Sequence, residues 1–317
     1  KLNILAVAAQ ENWNLGMITS KLNELENNNV DDQYELADLL KNVYEMPWQK
    51  QEKKKGVTTG FKTLDIMTGG LQNGALYTFG ARPSIGKTDF LLNLSVAIGM
   101  SGAKPVIHSM EMVAKGELDM RLIANVGGYN RTKMQDPEKY FNDAEKNKWT
   151  TVLGETSKVN ATIFDRSKQS VKEVYAKTRK VIKENPDKQI VVLIDYLTLM
   201  KPGEPFKTLD HHSVGAMTKD LKIMAKELDV PVVCLAQLSR GLEQRPDKHP
   251  IMSDLRESGS IEEDSNFIGF LYRESYYSKD DSDNSFEILV AKNRGGAIGK
   301  VNCIYNRYTG KLTEVIK

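Results

Sequence analysis

Residues 81–88 read Ala-Arg-Pro-Ser-Ile-Gly-Lys-Thr and carry the strongest chemical signal in the sequence. They match the phosphate-binding pattern G-x-x-x-x-G-K-[ST], with alanine in place of the first glycine. In such a loop the backbone amides, the dipole of the following helix and the lysine ammonium attract phosphate oxygens, and the Thr hydroxyl is placed to ligate Mg²⁺. A chance Gly-Lys-Thr turn is the alternative. The pattern predicts a nucleoside triphosphate site formed by Ala81, Arg82, Pro83, Ser84, Ile85, Gly86, Lys87 and Thr88.

Asp195 is the next candidate, because it ends the apolar, β-branched run 190–195. A carboxylate that leaves a buried strand at its C-terminal end lies over the crevice where open α/β sheets bind ligands. There it can hold Mg²⁺, or a water bound to Mg²⁺, beside Thr88. Many strands end in aspartate for turn reasons, so this prediction depends on the phosphate loop 81–88.

Glu111 and Gln237 also follow β-prone runs, at 105–109 and 231–236. If the first strand neighbours the strand before the phosphate loop, Glu111 faces the γ-phosphate and can polarise the attacking water. Otherwise it is a solvated loop carboxylate. The Gln237 amide can hydrogen-bond the γ-phosphate and report hydrolysis to the residues after it, or it is a polar strand cap. For each of the two residues, the spacing alone does not decide between the functional and the structural alternative.

Long polar stretches inside the domain suit the binding of a phosphodiester backbone. They cover 201–212, 238–250 and 252–260, and loops of this length in compact domains are usually functional. Their basic side chains and Gly or Ser amides can contact phosphates without reading bases. His211 and His212 lack neighbouring Cys or carboxylate residues at ligand spacing, so we interpret them as solvated loop residues rather than metal ligands.

Lys292 and Arg294 stand at the end of a strand-like run, next to Gly295 and Gly296. A cationic tip on a Gly-rich loop can reach the γ-phosphate of a neighbouring subunit. A solvated hairpin turn is the alternative.

Strands and helices alternate from Gly56 onward, which predicts a mainly parallel sheet covered by helices on both faces. The run 75–79 is the predicted strand before the phosphate loop, and 89–98 continues the loop at helical period. Beyond Asn266 the pattern changes to strands joined by hairpins. The other predicted strands are 105–109, 190–195, 231–236, 267–272, 286–291 and 300–305.

The N-terminal segment is predicted to be helical and separate from the α/β domain. Leu36, Leu39, Leu40, Val43 and Tyr44 form one apolar stripe. So short a helix cannot bury its stripe alone, and it packs either on its own chain or on a neighbouring subunit. The charge-rich stretch that follows is typical of a solvated linker. The predicted boundaries are 1–46 for the helical segment, 47–56 for the linker and 57–317 for the α/β domain.

Bulk properties restrict the function classes. A chain of 317 residues with 40% hydrophobic and 27% charged residues has enough apolar sequence for a globular α/β core. No apolar run approaches the ~20 residues that span a bilayer, and no signal peptide is visible in the sequence, so we expect a cytoplasmic protein without membrane contact. Cys234 and Cys303 lie in strand-like runs, so we expect both to be reduced residues of the hydrophobic core. A net charge of +2 does not by itself indicate nucleic-acid binding, so any such binding would depend on local loops. Since the chain begins at Lys1, we expect a fragment of a longer protein.

Taken together, these stretches resemble the C-terminal motor domain of DnaB-type replicative DNA helicases, bacterial or phage. The resemblance covers residues 56 to 317, in family order, and the Ala-Arg-Pro-Ser version of the phosphate loop and Asp-Leu-Arg-Glu-Ser-Gly are specific to this family. The matching segments are Gly56–Phe61, Gly80–Thr88, Ser109–Met112, Ile194–Met200, Ala236–Arg240, Ser253–Glu262 and Ala291–Arg294.

The resemblance implies a RecA-like P-loop ATPase fold that works as a homohexameric ring, with ATP and Mg²⁺ at each subunit interface. It implies that Glu111 is the catalytic glutamate and Gln237 the residue that senses the γ-phosphate. Lys292 and Arg294 would be the basic pair donated by the neighbouring subunit.

By the same resemblance, Arg256, Glu257 and Gly259 belong to the loop that holds single-stranded DNA in the central channel. Residues 36–46 resemble the linker helix that docks on the adjacent subunit, and the segment before them the tail of a domain that contacts primase. A helicase loader is a further expected partner. The implied activity is ATP-driven translocation on single-stranded DNA, 5′→3′, with unwinding of the duplex.

Three other interpretations agree with part of these sequence features. A RecA-type strand-exchange or clock-type ATPase would share the fold and the ATP chemistry, but would not be expected to carry the stretch 254–259. A scaffold or loader-binding protein with a vestigial site would not be expected to retain the full set of candidate residues. A small-molecule phosphotransferase would need a lid and an acceptor pocket, for which the sequence has no indication.

Overall fold

The computed structural model describes residues 56–206, 208–255, 258–278, 280 and 282–316, together with the isolated positions 36, 37, 40 and 44. The chain divides into two compact units, 1–54 and 55–317. Nearly all of the described residues belong to the second unit. Most of the predicted N-terminal helical segment and of the charged linker lies outside the described residues.

A nine-stranded sheet forms the centre of the second unit. The strands are β1 (Leu76–Ala81), β2 (Lys104–Ser109), β3 (Thr162–Phe164), β4 (Ile190–Asp195), β5 (Val232–Gln237), β6 (Phe267–Tyr272), β7 (Ser285–Asn293), β8 (Gly299–Asn306) and β9 (Lys311–Glu314). Their order across the sheet is β3-β2-β4-β5-β1-β6-β7-β8-β9. All pairs from β3 to β6 are parallel, whereas β6 to β9 pair antiparallel. The mainly parallel sheet and the hairpins after residue 266 are thus confirmed.

Helices and short helical turns connect the strands. The α-helices are α1 (Lys62–Thr68), α2 (Lys87–Met100), α3 (Asp119–Gly127), α4 (Pro137–Tyr140), α5 (Asp143–Asn147), α6 (Trp149–Ser157), α7 (Val171–Glu184), α8 (His211–Glu227), α9 (Ser258–Asp264) and α10 (Glu274–Ser278). Single turns of 3₁₀-helix lie at Lys133–Gln135, Leu197–Leu199, Arg240–Gln244 and Met252–Asp254.

The central strands are buried on both faces. In β4, Val191 and Leu193 pack into one hydrophobic cluster, and Val192 and Ile194 pack into another. Since successive side chains of a strand point to opposite faces, each face of the sheet carries its own core. This is why the strand reads as an unbroken apolar run rather than as an alternating one.

Several segments differ from expectation, including the strands β3 and β9, which none of the predicted runs covers. The helical insertion 119–157 between β2 and β3 was not predicted; its own small core is built on Tyr129, Phe141 and Val152. His211 and His212 do not lie in a loop, because α8 begins at His211. Asp210 caps that helix by accepting a 2.8 Å hydrogen bond from the backbone N–H of Ser213, and the two histidines are exposed.

Cys234 and Cys303 are both buried, and neither forms a disulfide. Within the described ranges, no helix is long and apolar enough to cross a membrane.

Candidate nucleotide site

The phosphate loop 81–88 joins β1 to the N-terminus of α2. Ala81 is the last residue of β1, where it pairs in register with Gln237 of β5, and an extended strand residue does not need to be glycine. Gly86 does have a left-handed conformation, with φ of 118° at the cap of α2. The loop therefore requires glycine at position 86 and tolerates alanine at position 81.

Lys87 and Thr88 begin α2 and are only 8% and 7% exposed. The Thr88 hydroxyl donates a 2.8 Å hydrogen bond to Oδ2 of Asp195 at the end of β4. The other carboxylate oxygen of Asp195, Oδ1, is buried and has no hydrogen-bond partner among the described residues. A hydroxyl beside an unpartnered carboxylate oxygen is a donor set that fits Mg²⁺, which takes oxygen ligands.

Protein side chains alone would not complete such a metal site. In the described parts of the chain, no group of three or more His, Cys, Asp or Glu residues could hold a metal ion. Mg²⁺ usually keeps several waters and binds through one or two carboxylates plus substrate phosphates. Thr88 and Asp195 fit that mode of binding.

Burial controls the charges of this site. It raises the pKa of Asp195 to about 6, with the nearby Glu111 charge acting in the same direction, while the Thr88 hydrogen bond and Lys87 oppose the shift. Burial also lowers the pKa of Lys87, which the carboxylates of Asp195 and Glu111 oppose. The Lys87 ammonium lies 4.2 Å from the centroid of the Tyr196 ring. The protein does not fully compensate either buried charge. A bound polyphosphate would compensate the Lys87 ammonium, and the cation bound with it would compensate the Asp195 carboxylate.

Glu111 lines the same pocket, although its strand does not neighbour the strand before the phosphate loop, as the prediction for Glu111 had required. β2 does not neighbour β1, because β4 and β5 lie between them. β2 pairs instead with β4, which places Ser109 opposite Asp195. The Ser109 hydroxyl accepts from the backbone N–H of Met112 at 3.2 Å and donates to its carbonyl at 2.7 Å, and this turn presents Glu111. Parallel strands end at one edge, so Glu111 reaches the crevice from a more distant strand.

The pocket that these elements enclose has a volume of about 410 Å³. The structure brings together five predicted residues there from four strand ends: Lys87, Thr88, Glu111, Asp195 and Gln237 are all at this edge of the sheet, and all but the buried Asp195 line the cavity. Its lining residues are Pro83, Ser84, Gly86, Lys87, Thr88, Asp89, Glu111, Met112, Arg121, Arg131, Tyr196, Gln237 and Tyr305.

Sequence reasoning missed an ion-pair cluster centred on Asp89, which is 3% exposed. Its carboxylate accepts hydrogen bonds from Arg131 at 2.6 Å, Arg121 at 3.3 Å and the Tyr305 hydroxyl at 2.5 Å. The two arginines come from the unpredicted insertion and the tyrosine from β8. The one local sequence signal for this cluster is Asp89 itself, an acidic residue directly after Gly-Lys-Thr in the first turn of a helix.

The Arg273 guanidinium lies over the Tyr305 ring beside the phosphate loop. The Arg273 guanidinium carbon lies 5.3 Å from the centroid of the Tyr305 ring. The same guanidinium donates a 3.2 Å hydrogen bond to the carbonyl of Ser84. A planar cation next to an aromatic ring is a suitable surface for stacking a nucleobase.

The residues predicted for the contact with a neighbouring subunit and for the DNA segment lie outside this pocket. Lys292 donates a hydrogen bond to the Glu262 carbonyl, and the exposed Arg294 donates one of 2.5 Å to the Glu263 carbonyl. Neither is among the described residues that line the pocket. Gly259 is exposed near the start of α9, and Arg256 and Glu257 lie outside the described residues.

Known proteins similar to this chain are named replicative DNA helicases. The model of the family "DnaB-like helicase C terminal domain" matches residues 56–314. The chain is 37% identical to replicative DNA helicase DnaC of Bacillus subtilis (strain 168) over 285 residues, which is 88% of this chain and 62% of that protein. It is 41% identical to replicative DNA helicase DnaB of Haemophilus influenzae over 254 residues, 79% of this chain and 53% of that protein. The chain therefore spans between about half and two thirds of these relatives' length.

Two solved structures are similar throughout the described domain. One, described as an ATPase domain, superposes with a TM-score of 0.83 at 38% identity, covering 90% of this chain and 100% of that one. A DnaB-like replicative helicase, described together with its interactions with primase, gives a TM-score of 0.85 at 37% identity, covering 98% of this chain and 75% of that one. These matches confirm the RecA-like fold class. The chain belongs to the DnaB-like helicase family, and residues 56–314 are its C-terminal domain.

Proposed function

We propose that this chain is the motor of a replicative DNA helicase, in which ATP hydrolysis drives 5′→3′ movement along single-stranded DNA and separates the duplex. The observation that carries the proposal is the gathering of Lys87, Thr88, Glu111, Asp195 and Gln237 from four strand ends at one pocket. A vestigial site would not be expected to keep all five in place. Family membership supplies the link from ATP hydrolysis to DNA.

In the proposed reaction each side chain has a separate task. The Lys87 ammonium and the amides of the phosphate loop bind the β- and γ-phosphates, and Thr88 and Asp195 would hold Mg²⁺, which supplies charge neutralisation when bound. Glu111 accepts a hydrogen bond from the attacking water and orients it toward the γ-phosphate. Gln237 donates its amide to the γ-phosphate and begins the polar segment that follows β5.

The nucleoside end of ATP is proposed to stack on the surface formed by Arg273 and Tyr305. Tyr305 lines the pocket and is fixed by its hydrogen bond to Asp89. Stacking on a ring uses the π-face that all bases share, so this surface would bind the base with little selectivity.

Single-stranded DNA is the proposed track, held in a homohexameric ring by the segment with Arg256, Glu257 and Gly259. Contacts restricted to phosphates would make stepping independent of sequence. A matched DnaB-like replicative helicase is described with its interactions with primase, and we propose primase, and a helicase loader, as partners of this protein.

The proposed activity is tested with two substrates. Wild-type protein should hydrolyse ATP faster when oligo(dT) is added, and should displace the complementary strand of a forked duplex under ATP. Strand pairing without fork unwinding would instead favour a RecA-type strand-exchange protein. ATP hydrolysis that oligo(dT) does not accelerate would favour a scaffold.

Lys292 and Arg294 are proposed to complete the site of the adjacent subunit, since both lie outside their own pocket and Arg294 is exposed. Arg294→Ala and Lys87→Ala should each lose nearly all hydrolysis alone, yet their mixture should regain activity. In rings assembled at random from equal amounts of the two variants, roughly a quarter of the interfaces pair a phosphate loop that retains Lys87 with a neighbour that retains Arg294. Steady-state ATPase of the mixed, assembled proteins checks this. A mixture as inactive as its components would place the action of Arg294 within its own subunit.

A further inference from the structure

Arg82 is the one charged residue of the phosphate loop whose role is not explained by the pocket. Its side chain is 7% exposed and is not among the pocket-lining residues. Nε and Nη2 donate to Oε1 of Glu243 at 2.9 and 2.7 Å, and Nη1 donates to the carbonyl of Leu238 at 2.9 Å. A buried guanidinium committed to these acceptors faces the segment after β5 rather than the pocket.

Glu243 belongs to the 3₁₀ turn Arg240–Gln244, and a second ion pair continues from the end of that turn. Arg245 binds Asp254 with two hydrogen bonds, of 3.0 and 2.8 Å. Fork-to-fork pairs of this kind fix geometry as well as adding energy. Asp254 in turn opens the stretch 254–259, in which the proposed DNA contacts lie.

Backbone hydrogen bonds connect the same segments. The Leu238 N–H donates to the carbonyl of Ala81 at 3.1 Å, and the Ser239 N–H donates to the carbonyl of Asp254 at 2.8 Å. Leu238 also forms an isolated antiparallel bridge with Leu255. The phosphate loop, the turn at 240–244 and the residues just before the DNA segment are therefore one hydrogen-bonded unit.

We infer that Arg82, Glu243 and Arg245 are positioning residues that couple the phosphate loop to the grip on DNA, an inference that rests on the proposed helicase function. A shift of the phosphate loop on nucleotide exchange would move the guanidinium of Arg82 and, through Glu243 and Arg245, Asp254. Charge-assisted bonds between partly buried groups transmit such a shift because breaking them leaves a charge unpaired. This route is additional to Gln237 and does not pass through the pocket.

The test uses Glu243→Gln, which keeps the shape of the side chain and removes its charge. Glu243 is 42% exposed, so the variant should fold. Basal ATP turnover should stay within about threefold of wild type, while stimulation by oligo(dT) should fall about tenfold. The ratio of the DNA dissociation constants measured with ADP and with a slowly hydrolysed ATP analogue, by fluorescence anisotropy, should approach one.

Three further variants separate coupling from structural damage. Glu155→Gln removes a similarly exposed ion-pair partner, 48% exposed, on the distant helix α6 and should behave as wild type. Glu243→Asp retains the charge and should restore part of the stimulation. Arg245→Gln breaks the second pair and should reproduce the uncoupled behaviour if Glu243→Gln fails to fold.

The outcomes of the two proposals are distinguishable. If wild-type protein shows no stimulation by DNA, the proposed helicase function is wrong and the coupling route has no role. If wild type is stimulated and both Glu243→Gln and Arg245→Gln are stimulated equally, the coupling inference alone is overturned.

Discussion

Replacing Lys87 by alanine should reduce ATP hydrolysis by about two to three orders of magnitude, which is the typical loss when one charge-stabilising donor is removed from a transferring phosphoryl group. Lys87 is buried at the start of α2 and is the only lysine that lines the described pocket. Fork unwinding should be lost with hydrolysis, whereas binding to oligo(dT) should remain, because the proposed DNA contacts lie in another segment. Phosphate release and fluorescence anisotropy measure the two properties separately.

The control for this variant is Lys104→Ala. Lys104 is also 8% exposed, but its ammonium binds the backbone carbonyl and side chain of Asn160, away from the pocket. Its loss should leave turnover close to wild type. Burial lowers the pKa of Lys87, so its charged form is held at a cost to the free energy of folding. Lys87→Ala should therefore not lower the thermal unfolding midpoint. Unwinding by Lys87→Ala at the wild-type rate would refute the assignment.

Replacing Asp195 by asparagine should separate stability from activity. Hydrolysis should fall by about two orders of magnitude or more, since the carboxylate proposed to hold Mg²⁺ is gone. The protein without nucleotide or divalent ions should nevertheless become more stable at pH 7.5. The carboxylate is 1% exposed, and burial raises its pKa from 3.8 to about 6.

The sign and range of this effect follow from the raised pKa. A protonated Asp195 stabilises the folded state at low pH, and that stabilisation is lost as the pH rises from about 4 through 6. Asparagine does not titrate, so its advantage should grow over this interval to about 3 kcal/mol at most. Urea unfolding at pH 5 and pH 7.5 measures it.

The exposed Asp187 provides the control for charge removal alone. Asp187→Asn should change neither stability nor turnover. A less stable Asp195→Asn at pH 7.5 would mean that the ionised carboxylate is stabilised in the folded protein, contrary to the prediction.

The sequence by itself determined the strands that carry the site and the residues at their ends. Asp195 was found because 190–195 is an unbroken apolar run ending in an acid, and Lys87 because the phosphate loop follows a strict spacing. Both signals are local, since burial on two faces and a helix N-terminus each impose a pattern on consecutive residues.

Only the tertiary structure decided the order of the strands and the partners of the buried charges. β2 lies two strands further from β1 than the prediction for Glu111 required. Asp89 meets Tyr305, 216 positions away, and Arg82 meets Glu243, 161 positions away. Which distant segments meet depends on how strands pair and on how an insertion folds back. Hydrophobic periodicity contains no information on either, because it reports only whether a residue is buried and not what buries it.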